Sequence, residues 1–271
     1  MNAPEKLLLP DTQALPDARG LAIQKVGVKG LRYPVIIRSG KPGLPQHTIA
    51  ELSMFVGLPP EVKGTHMSRF VEILELHREP IDRSSFAQMF ADMLEHLDAK
   101  TGYLDMRFPY FIRKAAPVSG VESLLDYEAR MIAEGDDEED LRLTLELSAP
   151  VTSLCPCSKK ISDYGAHNQR SRITLRAEVW GEVSLEDLAR IAEDEASCAV
   201  YGLLKRPDEK HVTERAYDNP KFVEDLVRDL ALRLQSDPRI GKFTVASENY
   251  ESIHNHSAYA EIHGEGAALR G

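Results

Sequence analysis

Residues Leu141 to Leu147 read Leu-Arg-Leu-Thr-Leu-Glu-Leu, an unbroken alternation of apolar and polar side chains. Successive side chains of a strand point to opposite faces, so this segment fits a strand buried on one side and open on the other. Arg172 to Trp180 (Arg-Ile-Thr-Leu-Arg-Ala-Glu-Val-Trp) repeats the alternation and reads as the strand returning beside it. Neighbours joined in this way are antiparallel, and helices are needed on the apolar face.

The rest of the chain follows the same logic. Val26 to Arg38 reads as a strand in which Pro34 marks an edge or a bulge. The Ser39–Gly43 turn leads to a second strand over Gln46 to Val56. Ser68 is expected to cap a helix through Phe70, Ile73, Leu74 and His77. Ser84 or Ser85 is expected to cap one through Phe86, Met89, Phe90, Met93, Leu94 and Leu97, stopped by Gly102. Tyr103 to Arg113 and Val121 to Ile132 form a strand pair about the Pro117–Gly120 turn. The acidic run Glu134–Asp140 is a solvated loop and the best boundary between two halves. In the second half Ser184 and Asp187 box the start of a helix that continues to Leu204. Asn219-Pro220 opens another through Phe222, Val223, Leu226, Leu230 and Leu234. Lys242–Ser247 and Asn249–His263 close the chain as a hairpin. Each half therefore reads β-β-α-α-β-β, and the class is α+β.

The 271 residues suffice for one large domain or two medium ones. A formal charge of -10 argues against a nucleic-acid backbone or an anionic membrane as the main partner. No run reaches the ~18 apolar residues of a membrane span. The N-terminus, dotted with Pro4, Pro10 and Pro16, lacks a secretory pattern and reads as a mobile arm that docks on a partner subunit. Three cysteines fit a reducing compartment, and a cytoplasmic location is expected.

Four features carry chemistry. Cys155 and Cys157 flank Pro156; such a cysteine is as often a small buried hydrophobe as a ligand. His167 heads the alternating run that follows. His254 and His256 flank Asn255 in a strand or a tight loop, and in a strand both imidazoles would leave one face. In the loop Leu204–His211, Asp208 or Glu209 offers a carboxylate. Thiolate, imidazole and carboxylate together suit zinc or a neighbouring first-row ion, and so few cysteines favour an open catalytic site over a closed structural one. Cys198, among Ala196, Ala199 and Val200, reads as packing within a helix.

The runs Ser-Leu-Cys-Pro-Cys-Ser-Lys, Gly-Ala-His-Asn-Gln-Arg-Ser, Leu-Lys-Arg-Pro-Asp-Glu-Lys, Asn-Pro-Lys-Phe-Val-Glu-Asp and Glu-Ser-Ile-His-Asn-His, with Lys-Gly-Thr-His-Met-Ser-Arg-Phe earlier, occur in one order. In that combination the chain resembles the type IB GTP cyclohydrolases from about Val26 to Ile262. The resemblance implies a tunnelling fold of two tandem ββααββ units with antiparallel sheets and helices packed on one face. The expected division is an arm at 1–20, a first unit at 21–135, a second at 136–264 with most of the metal site, and a tail at 265–271. It also implies a homotetramer with active sites at subunit interfaces, and conversion of GTP and water to 7,8-dihydroneopterin triphosphate and formate.

Carried onto this chain, the resemblance makes Cys155, Glu209, His254 and His256 the ligands of a divalent ion (Mn or Zn, possibly Fe). His167 is the acid/base or a further ligand, and imidazole is the side chain suited to taking and returning a proton near neutral pH. Glu224 is the guanine anchor, able to accept two hydrogen bonds from N1–H and the 2-amino group, although it lies off the apolar face of its helix. Lys159, Lys160, Arg170, Lys205 and Arg206, with Lys63 and Arg69, are candidate triphosphate or pocket residues near this loop, and His66 is expected to reach a neighbouring subunit's pocket. Two alternatives stand beside this reading. One is a reductase of a pteridine-like nitrile on the same fold, with Cys155 as nucleophile; the other is a non-catalytic metal-binding protein.

Overall fold

The alternating segment at 141–147 leads into and forms the first half of a longer strand, Arg142–Leu154, and the organisation of the molecule grows outward from it. The computed structural model describes residues 13, 15–38, 45–136 and 140–267. Along them run β1 (Ile23–Ile37), β2 (Gln46–Leu58), α1 (Met67–Leu76), α2 (Arg83–His96), β3 (Gly102–Ala115), β4 (Glu122–Gly135), β5 (Arg142–Leu154), α3 (Pro156–Ile161) and β6 (Asn168–Val179). Then come α4 (Leu185–Glu195), β7 (Cys198–Ala199), α5 (Arg206–Asp218), α6 (Val223–Ser236), β8 (Ile240–Asn249) and β9 (Ala258–Glu265). The strands form one sheet in the order β1-β2-β3-β4-β5-β6-β8-β9, with β7 beside β5. Every named pair is antiparallel.

Period-two patterning decides which face is covered. Leu145, Leu147, Ala149 and Val151 of β5, Ile173, Leu175 and Ala177 of β6, and Phe243 and Val245 of β8 are buried in one core with α4 and α6. Each Val, Leu, Ile or Phe among them contributes on the order of 1.5–3 kcal/mol. The residues between them face away from the helices, the charged Glu146 and Arg176 among them. There Arg130 holds Asp105 at 2.7 Å, and Arg172 meets Glu128 at 3.3 Å. Pro34 sits on β1, an edge strand as its missing N–H requires.

The two halves share one continuous sheet and one core, because β4 pairs with β5 from Glu128↔Ser148 to Glu134↔Arg142. Several expectations about single elements are corrected. The first half is β-β-α-α-β-β, but the second adds α3, β7 and a third long helix. Ser68 caps nothing: α1 begins at Met67 after His66. Asp82 caps α2, with Ser85 closing a reciprocal capping box at the third position. The helix ends at His96, its exit turned by Asp98 at φ 49, while Gly102 begins β3. Asn219-Pro220 precedes α6 rather than opening it.

The Ser184–Asp187 box holds as expected, but α4 stops at Glu195 instead of reaching Leu204. The reason lies in β5. Its pairing with β4 ends at Ser148, leaving the backbone of 151–154 open on that side. Cys198 and Ala199 leave the helical path to pair with Thr152 and Val151, and the Ser197 hydroxyl accepts from the Leu154 amide. Cys198 is buried as expected, but in a strand. The expected 204–211 loop is mostly the first half of α5. The arm's described part lies along its own chain: Pro16 bridges Val62, and Gln13 donates to the Thr65 carbonyl. The Ser39–Gly43 turn lies outside the described residues.

Candidate functional site

Antiparallel pairing sends alternate connections to the same end of the sheet. The β3–β4 turn, the Cys155–His167 connection and the Tyr250–Ser257 connection all fall at the end marked by the pairs Ala115↔Glu122, Leu154↔Asn168 and Asn249↔Ala258.

Cys155 ends β5 and is the N-cap residue of α3, a turn that Pro156 starts. Its amide donates to the His167 carbonyl at 3.2 Å. Ser158 then donates its hydroxyl to the Cys155 carbonyl and accepts from the His167 amide. The thiol and the imidazole are thus fixed at the two ends of one closed loop. His167 Nδ1 lies 2.8 Å from Gln169 Oε1 and 3.9 Å from Glu251 Oε2. The His167 and Glu251 side chains are only 15% and 12% exposed. Glu251 was not anticipated. It reaches His167 because β6 pairs with β8, Ser171↔Asn249, and the Tyr250 amide donates to the Arg170 carbonyl. No local pattern marks that residue; only the strand register does.

His254 and His256 lie in the exposed β8–β9 connection, the loop of the two expected settings, and their rings stack 5.1 Å apart. Glu209 is exposed on the first turn of α5, whereas its neighbour Asp208 is fully buried. Asp208 is spent on structure, since it accepts from the amides of Val118, Ser119 and Lys205 at 2.8 Å and from the Ser119 hydroxyl at 2.6 Å. This leaves Glu209 as the carboxylate of that pair open to a ligand.

Glu224 is exposed in the first turn of α6, which the Lys221 amide ties to the Leu154 carbonyl at 3.2 Å. Lys205 and Arg206 are exposed at the start of α5 and Lys160 on α3. Lys159 donates to the Tyr217 carbonyl and stands over that residue's ring at 4.1 Å. Arg170 borders a hollow of about 190 Å³ with Arg172, Tyr250 and Glu128. The larger hollows, about 410 and 370 Å³, lie on the open sheet face around Arg176 and His263, not at Cys155. His66 and Arg69 follow β2, which ends at the opposite end of the sheet, and Arg69 donates to the His96 carbonyl.

The donor types suit a divalent ion. Their placement in one chain does not complete a site: among the described residues, no group of three or more His, Cys, Asp or Glu could hold a metal ion.

The chain matches a family model described as type I GTP cyclohydrolase folE2 over residues 9–260. It is 66% identical over 264 residues to a protein named GTP cyclohydrolase FolE2 1 from Dechloromonas aromatica, covering 97% of this chain and 99% of that one. It is 57% identical over 262 residues to GTP cyclohydrolase FolE2 from Methylobacillus flagellatus, covering 97% and 98%. Among solved structures it resembles a hyper-thermostable uricase mutant at TM-score 0.51 and 10% identity, covering 91% and 93%. A hyperthermostable mutant of Bacillus sp. TB-90 urate oxidase aligns at TM-score 0.50 and 10% identity, covering 90% and 98%. At such identities the likeness is one of fold, and the fold is the tunnelling fold.

Proposed function

Because the chain belongs to the type I GTP cyclohydrolases named FolE2, we propose that it hydrolyses the imidazole ring of GTP. Two waters cleave C8 from N7 and N9 and release formate; the ribose carbons then rearrange and close on the freed N7 amine with loss of one water, giving 7,8-dihydroneopterin triphosphate, the first step of tetrahydrofolate synthesis. The observation that carries this reading at the site is the gathering of Cys155, His167 and Glu251 at one end of the sheet, in a chain 66% identical to a FolE2.

His167 takes a proton from the attacking water and returns one to a departing nitrogen. Gln169 and Glu251 stand against its Nδ1, so they orient the ring. Glu224 reads guanine; its exposure on the α6 first turn, off the apolar face, leaves both carboxylate oxygens available for N1–H and the 2-amino group. Lys205, Arg206, Lys160 and Arg170 supply charge for the triphosphate in a protein whose net charge is -10.

A divalent ion, manganese, zinc or iron, belongs to the proposal, with Cys155, Glu209, His254 and His256 as its donors. Such an ion supplies Lewis acidity and lowers the pKa of a bound water toward about 7. Since one chain brings no three donors together among the described residues, we place the completed site between copies in a homotetramer. Two features support assembly: His66 and Arg69 stand at the far end of their own sheet, and the outer edge of β9 is unpaired among the described residues. The three unbridged cysteines suit the cytoplasm, and no helix among the described residues is long and apolar enough to cross a membrane.

The test incubates the full chain with GTP and either Mn or Zn, then measures formate and, after oxidation, fluorescent neopterin. Both products are expected with at least one metal. Absence of both with either metal overturns the reading.

A further inference from the structure

The segment that leads into α5 is fastened to the β3–β4 hairpin of the first unit at three points. Lys114, at the end of β3, donates to the Val200 carbonyl at 2.7 Å and to Glu193 at 2.8 Å, with its side chain only 11% exposed. Gly202 lies so close to β4 that a Cβ there would stand 2.6 Å from the Leu124 carbonyl oxygen. Asp208 closes the arrangement. Its Oδ1 accepts from the Val118 and Ser119 amides at the hairpin turn, and its Oδ2 accepts from the Ser119 hydroxyl and the Lys205 amide. A fully buried carboxylate is stable only with such partners.

Helical geometry turns this fastening into aim. Neighbours on a helix point about 100° apart, so burying Asp208 sends Glu209 outward, and the bond to the Lys205 amide fixes where the turn begins. We propose that Asp208 is a positioning residue: by latching the first turn of α5 to the β3–β4 hairpin, it sets where Lys205 and Arg206 meet the substrate. This rests on the assignment of that turn to the triphosphate made above. The β3–β4 hairpin of one half of the chain thereby becomes part of the machinery of the other.

The test measures binding of a non-hydrolysable GTP analogue to the full chain by calorimetry, with thermal melts and kcat and KM for GTP alongside. In Asp208→Asn an amide NH2 replaces one oxygen and faces groups that themselves donate. It is expected to weaken the analogue about tenfold, as small displacements of binding groups do, and to raise KM more than it lowers kcat. Arg206→Gln alone should weaken the analogue similarly. The double variant should lose much less than the product of the two, because Arg206 gains little once its turn is released. Ser119→Ala, which removes one hydroxyl and leaves the amides, serves if the Asn variant does not fold; it should weaken the analogue about threefold with the same coupling.

Unaltered binding in both latch variants overturns the proposal, as does a double variant whose losses multiply. If Arg206→Gln binds normally, the triphosphate assignment fails, and the latch's role toward substrate fails with it.

Discussion

Asp208 and Glu209 leave one turn of α5 about 100° apart, one fully buried and one exposed. In the sequence they are equivalent acidic neighbours; four hydrogen-bond donors tell them apart. Burial by itself would raise the Asp208 carboxyl, but the hydroxyl and amide of Ser119 and the amides of Lys205 and Val118 outweigh it and hold the group well below the usual carboxylate range. A folded-state pKa lowered in this way stabilises the fold at any pH above the unfolded value of about 4, and the contribution is lost as pH falls through the folded value. Asp208→Asn should therefore be less stable to urea than the unaltered chain at about pH 7, with a gap that narrows at about pH 3. An equal gap at both pH values would mean that the ionised carboxylate is not its source. Glu251 is the opposite case, a residue with no local mark, found only because strand register sets it 3.9 Å from His167.

Element by element, what is local in the sequence was legible and what is shared between segments was not. Ser184 accepts from the Asp187 amide at 3.1 Å and Asp187 accepts from the Ser184 amide at 3.2 Å, as the Ser-x-x-Asp spacing requires. Ser184→Ala should cost about 1 kcal/mol in chemical denaturation, and Ser184→Gly only a few tenths. Indistinguishable midpoints for the Ala variant and the unaltered chain would mean the box adds nothing to α4. The far end of α4 was misread because helix periodicity continues through Ala196 and Cys198, whereas the vacant edge of β5 competes for the same backbone and wins. The α5 start was misread as a loop for the converse reason. Its charged residues give little apolar periodicity, and tertiary contacts through Asp208 and Ala216 hold it instead.

At the scale of the whole molecule, one sheet carries both halves, and the catalytic candidates collect at one end of it while His66 and Arg69 stand at the other. If the site is completed between copies, Cys155→Ala and Glu209→Gln chains should each be inactive alone. Mixed after dissociation and reassembly, they should recover part of the activity, because some interfaces then pair an intact Cys155 with an intact Glu209 from the other chain. Mixtures as inactive as their parents would place both residues of a site on one chain. Alternation of period two, capping spacings and the ordered Cys, His and Glu motifs are properties of a few adjacent residues, so the sequence alone determined the antiparallel α+β class, the helix starts at α4 and the family. The joining of the halves into one sheet, the approach of Glu251 to His167, and the separate fates of Asp208 and Glu209 depend on hydrogen bonds between segments far apart in the chain. Only the tertiary structure decides those, because a backbone group buried at a sheet edge or helix start takes whichever partner the fold brings to it.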